Sequence, residues 1–121
     1  MNTYAENFEA AVAKFEENGF TVHRSTPALL LLDLDDGRQL VESAFKLLAE
    51  LYGAKIERTY VSRNGAGSHV LISVDVPMTF MERAAYQAAL GDDPKRVVLA
   101  VRNFLEKGVS EPFFLAEPKG I

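Results

Sequence analysis

Among its 121 residues the chain has no cysteine and no tryptophan, only two histidines (His23 and His69), and no apolar run longer than five residues. Without thiolates, zinc ribbons, cysteine-nucleophile chemistry and disulfide scaffolds are excluded, and the absence fits a reducing interior. No run approaches the ~20 apolar residues that span a bilayer. Residues 1–6 carry neither the basic nor the apolar region of a signal peptide, so the expectation is a soluble, cytoplasmic protein with no membrane partner. A basic surplus is missing too: 13 Lys and Arg stand against 17 Asp and Glu, for a net charge of −4. That argues against a general nucleic-acid coat, whose affinity comes from cations neutralising phosphates. It leaves room for carboxylates gathered around a metal, whose charge would reverse the local field. With 48% hydrophobic and 25% charged residues, the composition is that of a single globular domain over 1–121, long enough to bury a core without staples.

Periodicity and caps predict the elements. Tyr4, Phe8, Val12 and Phe15 recur at helical spacing over 5–18, with Thr3 and Glu6 as a capping box and Gly19 as the stop. Strands are expected at 20–23 and 28–35, then a helix over 38–52 closed by Gly53. Segments 56–63 and 68–76 read as a hairpin through Asn64-Gly65-Ala66-Gly67. Thr79 with Glu82 opens a helix that Gly91 closes, and Asp93 with Pro94 opens another that ends near Gly108. A short strand, 113–117, finishes the chain. This order predicts an α+β domain: a mixed or antiparallel sheet of about five strands with helices packed on one face.

Two places could carry chemistry. In Leu29-Leu30-Leu31-Leu32-Asp33-Leu34-Asp35-Asp36, strand alternation sends Asp33 and Asp35 to one side and Leu30, Leu32 and Leu34 to the other. Paired carboxylates repel unless a proton or a cation lies between them, and Mg²⁺ or Mn²⁺ suits oxygen ligands. A solvated strand end is the plainer alternative. In Ser62-Arg63-Asn64-Gly65-Ala66-Gly67-Ser68-His69, glycines allow backbone N–H groups close to phosphate oxygens, and Arg63 and His69 add charge or donors. An ordinary hairpin loop also needs glycines. Parity puts Val70, Ile72, Val74 and Val76 on one face and His69, Ser73 and Asp75 on the other, so His69 is expected on an open sheet face.

An hhhDxD strand followed, after a helix, by a hairpin with Ser-x-x-Gly-x-Gly-x-His resembles the active site of the archaeo-eukaryotic primase superfamily, the primase-polymerases. The likeness extends from residue 28 to about 117, and the order and spacing resemble those of small phage- and plasmid-borne members; the Ser-to-His run also resembles that of polymerase domains in bacterial end-joining ligases. Asn64 stands where many relatives have a second Ser. The resemblance implies an RRM-like core that performs template-directed nucleotidyl transfer in DNA replication. Its catalytic positions here would be Asp33, Asp35 and His69: the two acids bind Mg²⁺ or Mn²⁺, and His69 contacts the phosphates of the incoming nucleotide. Ser62, Arg63, Asn64, Gly65 and Gly67 would complete the nucleotide-binding loop, and Glu117, an acid after an apolar strand, would be the third metal ligand. Implied partners are a single-stranded DNA template, nucleoside triphosphates and a helicase or other replication protein in trans. Lys55 and Arg58 are further candidates for phosphate contacts.

Two rival readings come from other classes. Asp33-Leu34-Asp35-Asp36-Gly37 also resembles the nucleophile strand of haloacid-dehalogenase-type phosphatases, which requires a parallel, doubly wound sheet. A non-catalytic, replication-accessory module of the same fold would instead bind single strands by stacking bases on Tyr52, Tyr60 or Phe113. The two histidines are not spaced on one strand, which argues against a paired-histidine relaxase.

Overall fold

The leucine run forms the most deeply buried strand of the protein, with Leu30, Leu31 and Leu32 fully inaccessible. In the computed structural model, which describes residues 3–35, 37–62, 65 and 67–119 (for 3–5 the backbone alone), the elements are α1 (Thr3–Glu17), β1 (Phe20–Arg24), β2 (Leu29–Leu34), α2 (Glu42–Tyr52), β3 (Lys55–Val61), β4 (Ser68–Ser73), α3 (Phe80–Leu90), α4 (Pro94–Lys107) and β5 (Phe114–Pro118). The class is α+β, as expected. No helix among the described residues is long and apolar enough to cross a membrane.

The strands do not form one sheet. β1 and β5 make a two-stranded antiparallel sheet, and β2, β4 and β3 make a three-stranded antiparallel sheet in the order β2-β4-β3. The two strands of the expected hairpin are thus paired antiparallel as β3–β4, while Asn64 and Ala66 of its loop lie outside the described residues.

Nor are the helices confined to one face. Leu30, Leu32 and Leu34 of β2 and Val70 and Ile72 of β4 bury against α2 and the end of α3 through Leu48 and Leu90. Leu31 and Leu71 project to the other face, into a second core with Phe80, Ala84, Val97, Ala100, Phe113 and Leu115. Apolar side chains on both faces require cover on both faces, because each buried leucine gains about 1.5–3 kcal/mol over exposure. The expected open face for His69 is corrected on the same ground: Leu71 shares that face, and the His69 side chain keeps only 12% of its accessibility.

Local signals explain most boundaries. Thr79 Oγ1 accepts from the Glu82 N–H while the Thr79 N–H donates to Glu82, so the capping box of α3 is complete. Asp93 caps α4 by accepting from the Lys95 N–H at 3.0 Å. The Thr3 side chain of the first expected cap lies outside the described residues. Helix α2 begins four residues later than periodicity suggests: Val41, whose N–H donates to the Leu90 carbonyl, is itself extended and stands at the N-cap.

The outer edge of β2 meets side chains instead of a sixth strand. Gln87 donates to the Leu31 carbonyl at 2.7 Å and accepts from the Leu31 N–H at 3.1 Å. Asp92 accepts from the Asp33 N–H at 2.9 Å, and the Asp93 N–H donates to the Asp33 carbonyl at 3.2 Å. A strand edge buried under α3 and α4 has to satisfy its polar groups in this way. With every pairing in the two sheets antiparallel, the doubly wound sheet that a haloacid-dehalogenase-type phosphatase needs is not the architecture here.

Candidate functional site

The register of the three-stranded sheet brings the two sequence motifs together. Asp33 of β2 is the cross-strand partner of His69 on β4, and His69 is in turn the partner of Tyr60 on β3. Directly opposed residues lie on one face within side-chain reach, so the three form a row across the sheet. His69 Nε2 stands 3.4 Å from Asp33 Oδ1, an ion contact longer than a strong hydrogen bond. The neighbouring imidazole holds the Asp33 carboxyl below its ordinary range, against the opposing effect of burial. Tyr60 packs edge-on to His69 with ring centroids 4.9 Å apart, and burial raises its phenol above the ordinary value.

Asp33 and His69 of this row line a cavity of about 270 Å³ that combines polar and aromatic side chains. Asp33, Asp35, Ser62, His69 and Arg96 supply the polar groups; Phe15 of α1, Phe20 of β1 and Phe114 of β5 supply the rings. Asp35 lies one residue past the end of β2, yet it lines the same cavity as Asp33, as alternation requires.

A third carboxylate stands beside Asp33 and Asp35. Oxygens of Asp33, Asp35 and Asp93 all lie within 4.8 Å of one another. Asp93 reaches this position because the turn between α3 and α4 is hydrogen-bonded to the edge of β2; from sequence it read only as a helix cap. Glu117, the expected third ligand, is placed apart from this cluster: its carboxylate is taken up by Arg58 and by His23, whose Nε2 is 2.9 Å away. These partners pull the Glu117 carboxyl down to about 2, with Arg58 the larger cause.

Other expectations are redistributed. Arg58 is committed to Glu117, and Lys55 faces Ser73 at the end of the sheet remote from His69. Arg63 and Asn64 lie outside the described residues. In the loop, the Gly67 N–H donates to Ser62 Oγ at 3.1 Å and the Gly65 N–H to the Ser62 carbonyl at 2.9 Å. Both amides thus brace the loop itself instead of pointing to a phosphate. Gly67 has a second reason to lack a side chain: a Cβ there would lie 2.3 Å from the Leu34 carbonyl oxygen and 3.0 Å from the Asp35 Cα. Of the aromatics considered for base stacking, Phe113 is buried in the second core, Tyr52 is hydrogen-bonded to Tyr86 at 2.7 Å, and Tyr60 is half-buried beside His69. The rings lining the cavity are Phe15, Phe20 and Phe114.

The donor set fits a hard divalent cation. It consists of carboxylate oxygens, the ligands Mg²⁺ and Mn²⁺ prefer, and Asp33 Oδ1 is buried without a hydrogen-bond partner, as is His69 Nδ1. Arg96 adds a smaller favourable charge at Asp33, although its guanidinium is hydrogen-bonded to Asp92 and to the Leu31 and Phe114 carbonyls. No family model matches the chain, no curated protein matches it, and no solved structure matches it.

Proposed function

We propose that this protein is a metal-dependent nucleotidyl transferase of the primase-polymerase type, acting on a single-stranded DNA template with nucleoside triphosphates. The observation that supports it is the convergence of Asp33, Asp35 and His69, from two motifs some thirty residues apart, on one cavity, with an Asp93 oxygen within 4.8 Å of those of both acids. Asp33, Asp35 and Asp93 would hold Mg²⁺ or Mn²⁺. Bound divalent ions lower the pKa of a 3′-hydroxyl and stabilise a pyrophosphate leaving group. His69, beside Asp33 in the cavity lining, would contact the phosphates of the incoming nucleotide. A helicase or another replication protein would supply the template in trans.

The test is primer synthesis and extension on single-stranded DNA with Mg²⁺ or Mn²⁺, comparing the native protein with an Asp33→Ala, Asp35→Ala double variant. Product that disappears in the variant supports the reading. A folded native protein that makes no product and shows no metal-dependent nucleotide binding overturns it, and DNA binding unchanged by EDTA would then assign the fold to an accessory module.

A further inference from the structure

Asp92 is a fully buried carboxylate at the junction of β2, α3 and α4, and four donors converge on it. One oxygen, Oδ1, accepts from the backbone N–H groups of both Asp33 and Asp93, each at 2.9 Å. The other, Oδ2, accepts from Gln87 Nε2 at 2.8 Å and from Arg96 Nη1 at 2.7 Å. Two of the three clustered acids, Asp33 and Asp93, are therefore tied through their backbones to a single atom that belongs to neither. Asp33 and Asp93 are sixty residues apart and sit on different elements. Their side chains can act together only if something fixes one backbone against the other, and the direct link seen between those backbones is the longer 3.2 Å bond from the Asp93 N–H to the Asp33 carbonyl.

We propose that Asp92 is a positioning residue of a divalent-cation site: by holding the Asp33 and Asp93 amides on one oxygen, it sets the spacing of their carboxylates. This rests on the metal-dependent reading above. Buried groups that orient ligands in this way typically change metal affinity by about 10–100-fold when removed. Gln87 provides the internal comparison. Its side chain also ties α3 to β2 and is fully buried, but it touches Leu31 and the far oxygen of Asp92 and leaves the Asp33 and Asp93 amides alone.

The experiment is a Mn²⁺ titration followed by electron paramagnetic resonance, with unfolding by urea and amide exchange measured on the same samples. The proteins are native, Asp33→Asn, Asp92→Asn, Asp92→Ala and Gln87→Met. The expected result is native binding that Asp33→Asn abolishes, about tenfold or greater weakening in Asp92→Ala, and near-native affinity in Gln87→Met despite its loss of stability. The Asp33 and Asp93 amides should lose exchange protection in the Asp92 variants and keep it in Gln87→Met. Asp92→Asn leaves one acceptor for two pairs of donors, so it gives a partial loss and serves if Asp92→Ala does not fold. Affinity falling in parallel with stability in both the Gln87 and Asp92 variants overturns the positioning role and leaves the metal reading standing. A native protein that binds no Mn²⁺ overturns the metal reading and the positioning role with it.

Discussion

Asp33 and His69 face each other across adjacent antiparallel strands, with Oδ1 and Nε2 3.4 Å apart, at the point where a buried leucine strand emerges into a cavity. The contact lowers the acid's proton affinity, and its consequence can be read directly. In His69→Ala the Asp33 carboxyl should titrate at higher pH than in the native protein, as followed by carbon-detected NMR of its carboxyl. Because the native group is depressed, the stability it contributes is present above the ordinary carboxylate range and disappears as pH falls through the depressed value. An unchanged Asp33 titration in the variant would show that the pair is not coupled.

Gly67 should be intolerant of the smallest side chain. A methyl group there collides with the backbone of Leu34 and Asp35, which cannot rotate away as a side chain can. Gly67→Ala is expected to cost about 1–3 kcal/mol in urea denaturation, the usual range for overpacking. It should also weaken Mn²⁺ binding by displacing Asp35, whereas Gly65→Ala, in open space but at φ +74°, should strain only the loop.

The Glu117 carboxyl gives the protein an acid-dependent component of stability. Its ordinary value of 4.5 falls to about 2 in the fold, with Arg58 and His23 as the favourable causes. A depressed acid stabilises above its unfolded value and ceases to do so as pH drops through the folded one, so the loss occupies the window from about pH 4.5 to about 2. Glu117→Gln should flatten the stability profile across that window in thermal melts, while leaving Mn²⁺ affinity near native. A large loss of Mn²⁺ affinity in Glu117→Gln would restore Glu117 to the metal site.

Arg83 and Glu111 form a pair whose two halves are unequal. The Arg83 side chain is 2% exposed and bonds both Glu111 oxygens, while that of Glu111 is 28% exposed and also accepts from Ser25. Glu111→Ala strands a buried guanidinium and is expected to cost about 3 kcal/mol, the lower end for breaking a buried pair. Arg83→Met leaves Glu111 its Ser25 contact and some solvent, and should cost less. Equal losses in chemical denaturation would show that burial of the arginine is not what decides the cost.

By itself the sequence determined the order of the elements, the caps of α3 and α4, the β3–β4 hairpin and the parity that puts Asp33 with Asp35 on one side. These follow from contacts a few residues apart and from periods of 2 and 3.6, which any chain carries locally. Only the tertiary structure decided which acid joins the pair. Asp93 read as a cap and is one, but packing of the α3–α4 turn along the edge of β2 also brings it beside Asp33. Glu117 had the right residue type after an apolar strand, yet β5 pairs with β1, and its carboxylate there meets Arg58 and His23. Burial of β2 and β4 on both faces was likewise beyond local pattern, because alternation tells which residues share a face and not what covers it. Cover, and with it the cavity, is set by where distant helices find apolar surface to bury.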